Sequence, residues 1–197
     1  MGEFLTYRVD ANDLIEAVAG EWTRFALANG GDRLLPPGIL SSSIWPWIVD
    51  ETTRQVYRAM LKNVRAGAGP VRFRFRCDGP SERRLLEMRI SLGAHRAVEF
   101  ETRLVLSQPR DAVQLISPDA VRTDSLLSIC GWCMRVQVAK GTWVEVERAI
   151  QMLEIFEAPA VPKITHGMCP TCYGTMMASL DDADLAASGS VTVGALA

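Results

Sequence analysis

The sequence predicts an α+β fold in which helices cover one face of an antiparallel sheet, followed by a small cysteine-rich segment. Three observations lead to this prediction. Three consecutive runs between residues 71 and 106 alternate apolar and polar side chains, which is typical of strands with one buried face. Residues 51–65 have apolar side chains at helical spacing. Four of the 5 cysteines occur as two C-x2-C pairs near the end of the chain.

Composition narrows the class of protein. The chain has 197 residues, of which 48% are hydrophobic, so a real core is feasible and global disorder is not expected. The net charge of -2 does not favour a broad nucleic-acid surface. The segment "MGEFLTYRVDAND" carries early charges and lacks a long apolar run, and no stretch is apolar enough to span a bilayer. We therefore expect a cytoplasmic protein that binds neither nucleic acid nor membrane.

The first elements follow from turn and capping signals. Residues 4–18 predict two short strands joined through "DAND", which is turn chemistry. The stretch "AGEWTRFALANGG" predicts a helix that ends at glycine. Prolines and a glycine break residues 32–48 into a loop, and Asp50 is placed to cap a helix over residues 51–65.

Three strands are then predicted over residues 71–77, 84–92 and 97–106. Arginines on the polar side of the first strand suggest either a nucleic-acid patch or ion pairs across the sheet. Glutamates at the outer positions of the neighbouring strands, together with the net charge, favour ion pairs. The arginine row consists of Arg72, Arg74 and Arg76.

The order strand, strand, helices and three strands resembles the PAS fold, a sensory module of bacterial signalling proteins. The resemblance covers residues 4–107, and "EWTRFA" lies where many PAS domains have an aromatic-containing helix. Ala19 departs from the asparagine that many of them have near this position. The resemblance implies a five-stranded antiparallel sheet with helices on one face, within a sensory domain of residues 1–109.

Aromatic and methionine side chains are available to fill the space between this sheet and its helices. We favour a filled core, because no polar group is predicted to converge there; a small apolar ligand is the alternative. The candidate lining residues are Trp22, Phe25, Trp45, Trp47, Met60, Phe73, Phe75, Met88 and Phe100.

The remaining chain divides by composition. Residues 110–125 read as a connector, residues 126–180 as the cysteine-rich segment, and residues 181–197 as a flexible tail of small residues. Within the segment, "CGWC" is expected at the tip of a hairpin and "CPTC" at the start of the last helix. Between them, Thr142 and Glu145 fit a capping box for a helix over residues 142–156.

The two cysteine pairs predict a metal site. A segment this short is difficult to stabilise by core burial alone, and four thiolates around one structural zinc ion would supply the missing stability. The "CPTCYG" stretch has the form of a zinc knuckle, so we expect a treble-clef or ribbon-like arrangement. The predicted ligands are Cys130, Cys133, Cys169 and Cys172.

Other roles for these cysteines are less well supported. A c-type haem requires a histidine directly after the second cysteine, where Met134 stands. A thioredoxin-like dithiol requires a following helix, whereas "MRVQV" alternates as a strand. A redox switch in which the cysteines release metal and form disulfides stays open. His166 is either an alternative ligand or a donor that supports one, and Cys77 is expected to be a small core residue.

The segment also resembles a cysteine-rich region found beside PAS and receiver modules in bacterial signalling proteins. The shared pattern is C-x-W-C, a tryptophan-containing acidic helix, and H-G-x-C-P-x-C. Met134, where a basic residue is expected, and the stretch "FEAPAVPKI" depart from it. The matching residues are Cys130, Trp132, Cys133, Trp143, His166, Gly167, Cys169, Pro170 and Cys172.

No catalytic constellation is evident, and the two histidines, His95 and His166, lie in predicted turns without an evident partner. We therefore expect not an enzyme but a bacterial signal-transduction sensor or adaptor that acts through protein contacts. The alternative is a redox or metal sensor in which the cysteine cluster is itself the switch. Expected partners are signalling proteins or a second copy of the chain, since the apolar stretches "AVQLI" and "SIWPWI" need cover, which favours a homodimer.

Overall fold

The computed structural model describes residues 4–155, 158–185 and 191–192, which form two sheets and four helices. The larger sheet contains β1 (Phe4–Val9), β2 (Ile15–Gly20), β3 (Val71–Arg76), β4 (Glu82–Leu92), β5 (Val98–Pro109) and β10 (Val191–Thr192). The smaller sheet contains β6 (Arg122–Cys130), β7 (Val136–Ala139), β8 (Thr142–Val144) and β9 (Val161–Gly167). The helices are α1 (Trp22–Ala28), α2 (Glu51–Arg65), α3 (Val146–Met152) and α4 (Pro170–Leu185).

The larger sheet has the strand order β10-β3-β4-β5-β1-β2. Strands β1 to β5 pair antiparallel, so the predicted five-stranded antiparallel sheet is confirmed. The two residues of β10 add a short parallel pairing to β3. The protein is therefore an α+β protein whose first sheet follows the element order expected from the sequence.

The outer face of this sheet carries ion pairs between neighbouring strands. Glu87 on β4 accepts from Arg103 at 2.6 Å and from Arg74 at 3.5 Å. Arg89 lies 3.9 Å from Glu101 on β5. The interpretation of the arginine row as cross-strand ion pairs is thus confirmed for Arg74, whereas Arg76 points to a different set of acids, described below.

The inner face is packed against α2. Helix α2 begins after Asp50, whose carboxylate accepts from the Thr53 amide at 2.7 Å as the predicted N-cap. Met60 on this helix and Phe100 on β5 are fully buried in the main core. Tyr7 stacks on Phe100 with ring centroids 4.3 Å apart. The space between sheet and helix is therefore occupied by aromatic and aliphatic side chains.

The candidate lining residues fall into four groups. Phe73 and Met88 are buried with Met60 and Phe100, while a further set packs against the same core and is partly buried. Phe25 lies beneath the Arg84 guanidinium. Trp47 departs from the expectation, since 42% of it is exposed. The partly buried set consists of Trp22, Trp45 and Phe75.

One polar contact in this core was not expected. The phenols of Tyr7 and Tyr57 lie near each other, and burial raises the pKa of both. The expectation that nothing polar converges between the sheet and its helices is therefore wrong. The ligand hypothesis for this region stays a prediction.

The smaller sheet is organised around β6, which lies between β7 and β9. Strand β6 pairs antiparallel with β7, so the predicted hairpin with "CGWC" at its tip is confirmed. Val113 and Leu115, from the predicted connector, are buried in the core of this region. The apolar "AVQLI" stretch is therefore covered within one chain.

The structure of the C-terminal part differs from the sequence-based expectation in three places. Thr142 lies in β8 and not at a helix N-cap, and α3 begins only at Val146 because the chain first completes the β7–β8 hairpin. Strand β9 was not predicted at all. Within residues 181–197, expected to form a flexible tail, residues 181–185 continue α4 and Val191–Thr192 pair with β3. The rest of that tail, like Phe156 in the predicted helix, lies outside the described residues.

Among the described residues, no helix is both long enough and apolar enough to cross a membrane.

Candidate metal centre

The two cysteine pairs meet because β6 and β9 run parallel and end side by side. Cys130 is the last residue of β6 and pairs in register with Gly167, the last residue of β9. The Gly131 amide donates to the Gly167 carbonyl at 2.9 Å. Both strands therefore end at the same edge of the sheet, and each is followed by a C-x2-C loop.

The four sulfur atoms of Cys130, Cys133, Cys169 and Cys172 all lie within 4.8 Å of one another. Their residues are 0%, 9%, 1% and 2% exposed, respectively. The amide of Cys169 points at the Cys130 sulfur at 3.4 Å, and the amide of Cys172 points at the Cys169 sulfur at 3.5 Å. Amides directed at sulfur are the geometry expected of a knuckle that holds thiolates.

The sulfurs also perturb one another electrostatically. The pKa of Cys130 is lowered, because its sulfur accepts hydrogen bonds from the thiols of Cys133 and Cys172. The pKa values of Cys133 and Cys172 are raised, because their protons are shared with that thiolate. A divalent cation among the sulfurs would take the place of these shared protons.

The dimensions of the cluster fit a tetrahedral ion. Zinc binds thiolate at about 2.3 Å, and a tetrahedron of that size has edges of about 3.8 Å. The sulfurs of Cys133 and Cys169 are 3.8 Å apart. Four soft donors at this spacing suit zinc, and they leave no coordination position for water or substrate. The cluster is therefore suited to a structural ion.

His166 lies outside this cluster. It is an exposed residue of β9 that pairs with Ile129 of β6. It lines a cleft of about 410 Å³ together with Asp50 and Trp132. The four-cysteine set is thus the group that the structure brings together, and the hypothesis of His166 as a replacement ligand gains no support. Cys77 is also separate from the cluster, and burial raises the pKa of its thiol.

Trp132, inside the first C-x2-C loop, attaches the cluster to the larger sheet. Its ring stacks on Phe73 of β3 with centroids 5.6 Å apart and meets Tyr57 of α2 edge-on at 6.2 Å. Its carbonyl accepts from the amide of Arg76, the last residue of β3, at 2.8 Å. The cysteines themselves belong to the main core, so the cluster and the larger sheet form one packed unit.

Helix α4, which begins at the second pair, strengthens this attachment. It packs against α2, and the buried Asn63 of α2 donates to the Leu180 carbonyl at 3.0 Å. Met176 and Leu180 are buried in the main core. The second cysteine pair is therefore anchored by a helix that rests on the larger sheet's own helix.

A network of ion pairs also joins the two regions, and the sequence did not indicate it. Arg76 of β3 contacts Asp78 at 2.5 Å and Glu145 at 2.6 Å. Arg135, two residues after Cys133, lies 3.3 Å from Glu145. Asp78 is fully buried at its side chain and also contacts Arg110 at 3.3 Å. The local signal at Asp78 is a turn-like "CDGP", which does not reveal Arg110, 32 residues away. Nor does any local pattern reveal that Arg76 pairs with Glu145, 69 residues away.

A groove of about 520 Å³ opens beside the centre. Cys133, Cys169 and Cys172 line it, whereas Cys130 does not. Its other walls include Arg135 and Leu106. Three of the four cysteines thus line an open groove.

No protein-family model, curated protein or solved structure matches this chain. The metal-binding geometry consequently carries the functional argument.

Proposed function

We propose that this protein is a cytoplasmic bacterial signal-transduction sensor or adaptor. A PAS-like sheet domain is its input module, and a structural zinc centre of Cys130, Cys133, Cys169 and Cys172 holds the C-terminal region against it. The protein acts through contacts with signalling proteins or with a second copy of itself. The observation that carries the proposal is the four-cysteine cluster packed into the core of the sheet domain.

The chemistry of the centre supports a structural role. Four cysteines satisfy a tetrahedral zinc ion completely, whereas catalytic zinc sites keep a position open for water. The knuckle amides hold the sulfurs from both loops. The ion would thus close the long connection between the two cysteine pairs and stabilise the smaller sheet.

The connection between the regions supports a sensor or adaptor. Trp132 touches both β3 and α2, so a displacement of the sheet or of its helix changes the environment of the cysteine loop directly. The element order on which the PAS resemblance rests is present in β1 to β5. A conformational change in the larger sheet or in α2 would therefore reach the cysteine-containing loops through Trp132.

Native mass spectrometry of freshly purified protein, combined with partner capture from bacterial lysate, tests this function. We expect one zinc ion per chain, and quantitative proteomics should recover signalling proteins with the wild type but not with Cys169→Ala. Cys77→Ala is the matched control, because it removes a cysteine outside the cluster and should keep both zinc and partners. The proposal would be contradicted if Cys169→Ala captured the same signalling proteins as the wild type. It would also be contradicted if the native protein contained no zinc.

A further inference from the structure

We infer that Cys133 and Cys169 form an oxidation site for peroxides on the groove side of the centre. Oxidation joins these two residues, one from each loop, in a disulfide while the surrounding fold is kept. The inference rests on the proposed zinc centre for its resting state, but not on the signalling role.

Access distinguishes the sulfurs from one another. The groove reaches Cys133, Cys169 and Cys172, and Cys133 is the most exposed of the four at 9%. Cys130 is 0% exposed and does not line the groove. A small oxidant that enters the groove therefore meets Cys133 first.

The Cys169 sulfur lies within reach of the Cys133 sulfur. The Cys133 and Cys169 sulfurs are 3.8 Å apart and both face the groove. Arg135 lines the same groove beside these two cysteines.

The reaction balances with hydrogen peroxide as the only oxidant. The Cys133 thiolate attacks one peroxide oxygen, the O–O bond breaks, and a sulfenic acid and hydroxide form. The Cys169 thiolate then attacks the Cys133 sulfur, the S–S bond forms, and a second hydroxide leaves. Two protons from solvent convert both hydroxides to water, and the two thiolates have lost two electrons. The centre has then lost two of its four donors, so bound zinc is released.

Once the disulfide has formed, the strands that lead into the centre are expected to stay paired without the metal. Strands β6 and β9 pair up to Cys130 and Gly167, and the Gly131 amide donates to the Gly167 carbonyl; these backbone hydrogen bonds involve no metal. The new bond links the loops that follow these two strands. Oxidation is therefore expected to release zinc with little loss of secondary structure.

The test uses the zinc-loaded 197-residue chain and limiting hydrogen peroxide. Zinc release is followed with a chelating dye, circular dichroism follows the fold, and free thiols are blocked before disulfides are mapped by non-reducing peptide mass spectrometry. We expect the Cys133–Cys169 disulfide to appear first, in step with zinc release. Cys77→Ser should behave as the wild type, because Cys77 lies outside the cluster.

A groove-filling variant separates this site from general oxidation of a zinc centre. Leu106 lines the groove and is 48% exposed, so Leu106→Trp should narrow the groove, slow zinc release severalfold and leave zinc stoichiometry unchanged. A first disulfide within one pair, an unchanged rate in Leu106→Trp, or thiols that stay reduced would each overturn the inference.

The outcomes also separate this inference from the proposed function. A protein that binds no zinc contradicts the proposed centre, while the disulfide order of its free thiols still tests the oxidation site. Zinc binding and partner capture as proposed, with oxidation elsewhere, overturn only the inference.

Discussion

The two sheets of this protein differ in what brings their strands together. In the larger sheet, β3, β4 and β5 are consecutive antiparallel strands joined by short turns, and they bury a continuous apolar face. In the smaller sheet, β6 pairs in parallel with β9, and residues 131–160 lie between them in the chain. Closing that long connection costs more conformational entropy than closing a hairpin.

This difference explains where the cysteine centre lies. Burial of many apolar side chains offsets the conformational entropy lost when the larger sheet becomes ordered. The smaller sheet has a smaller core cluster of its own, so apolar burial offsets less of this loss. A metal bound by both loops would join the ends of β6 and β9. It would thereby offset the conformational entropy lost in closing the long connection between these two strands. The comparison predicts that the two regions respond differently to changes at the centre, at their junction and on the outer sheet face.

The largest effect is expected for Cys169→Ala. Loss of one thiolate should abolish tight zinc binding, and structural zinc sites supply apparent binding free energies of about 10–16 kcal/mol. We expect the smaller sheet to lose protection in hydrogen exchange, while β3, β4 and β5 keep most of theirs. Native mass spectrometry measures the metal in the same sample.

Cys77→Ala is the control for this change and should retain zinc, because its thiol is outside the cluster. Full zinc stoichiometry in Cys169→Ala would contradict the assigned ligands. Equal loss of protection in both sheets would mean that they do not differ in the way proposed.

A smaller effect is expected at the junction. Trp132→Ala removes a ring that is only 7% exposed and packs on Phe73 and Tyr57, so we expect about 3–5 kcal/mol loss in free energy of unfolding. Trp47→Ala is the matched control, because it removes the same side chain. Trp47 is 42% exposed, so this substitution should lower the free energy of unfolding by less than about 1 kcal/mol. Urea denaturation measures both, and equal losses would argue against Trp132 as the link between the regions.

The smallest effect is expected on the outer face of the larger sheet. Hydrogen bonds from Arg103, and then from Arg74, lower the pKa of Glu87. A lowered pKa in the folded state means that this carboxylate stabilises the fold above its unfolded pKa, and that the contribution disappears as pH falls through the folded value. Glu87→Gln should therefore cost about 0.2–1 kcal/mol at neutral pH and nothing below the folded pKa.

Denaturation of wild type and Glu87→Gln across this pH range, at low and high salt, measures that contribution. A difference that persists unchanged into strong acid would show that the carboxylate charge is not its source.

Local patterns were sufficient where strands are neighbours in sequence. Phe73, Met88 and Phe100 lie on the buried face that period-two alternation predicted, because a side chain's face depends only on its position in its own strand. Asp50 caps α2 as expected, since an N-cap contact is made within a few residues. The knuckle form of the second cysteine pair likewise indicated its local geometry.

Patterns failed where an element depends on a distant partner. Strand β9 contains Pro162, which masks a strand in the sequence but is tolerated here because β9 lies at an edge of its sheet. Thr142 and Glu145 matched a capping box, yet pairing of β8 with β7 places Thr142 in a strand. In both cases a contact across the sheet outweighed the local preference.

The sequence by itself determined which residues are able to bind a metal, because thiolate chemistry and C-x2-C spacing are properties of short segments. It also determined the alternating strands of the larger sheet. Only the tertiary structure decided that the two cysteine pairs meet, through parallel pairing of β6 with β9. It alone also placed Arg76 of β3 against Glu145 beside the centre. The physical reason is range: alternation and capping act over a few residues, whereas these contacts depend on how distant segments pack.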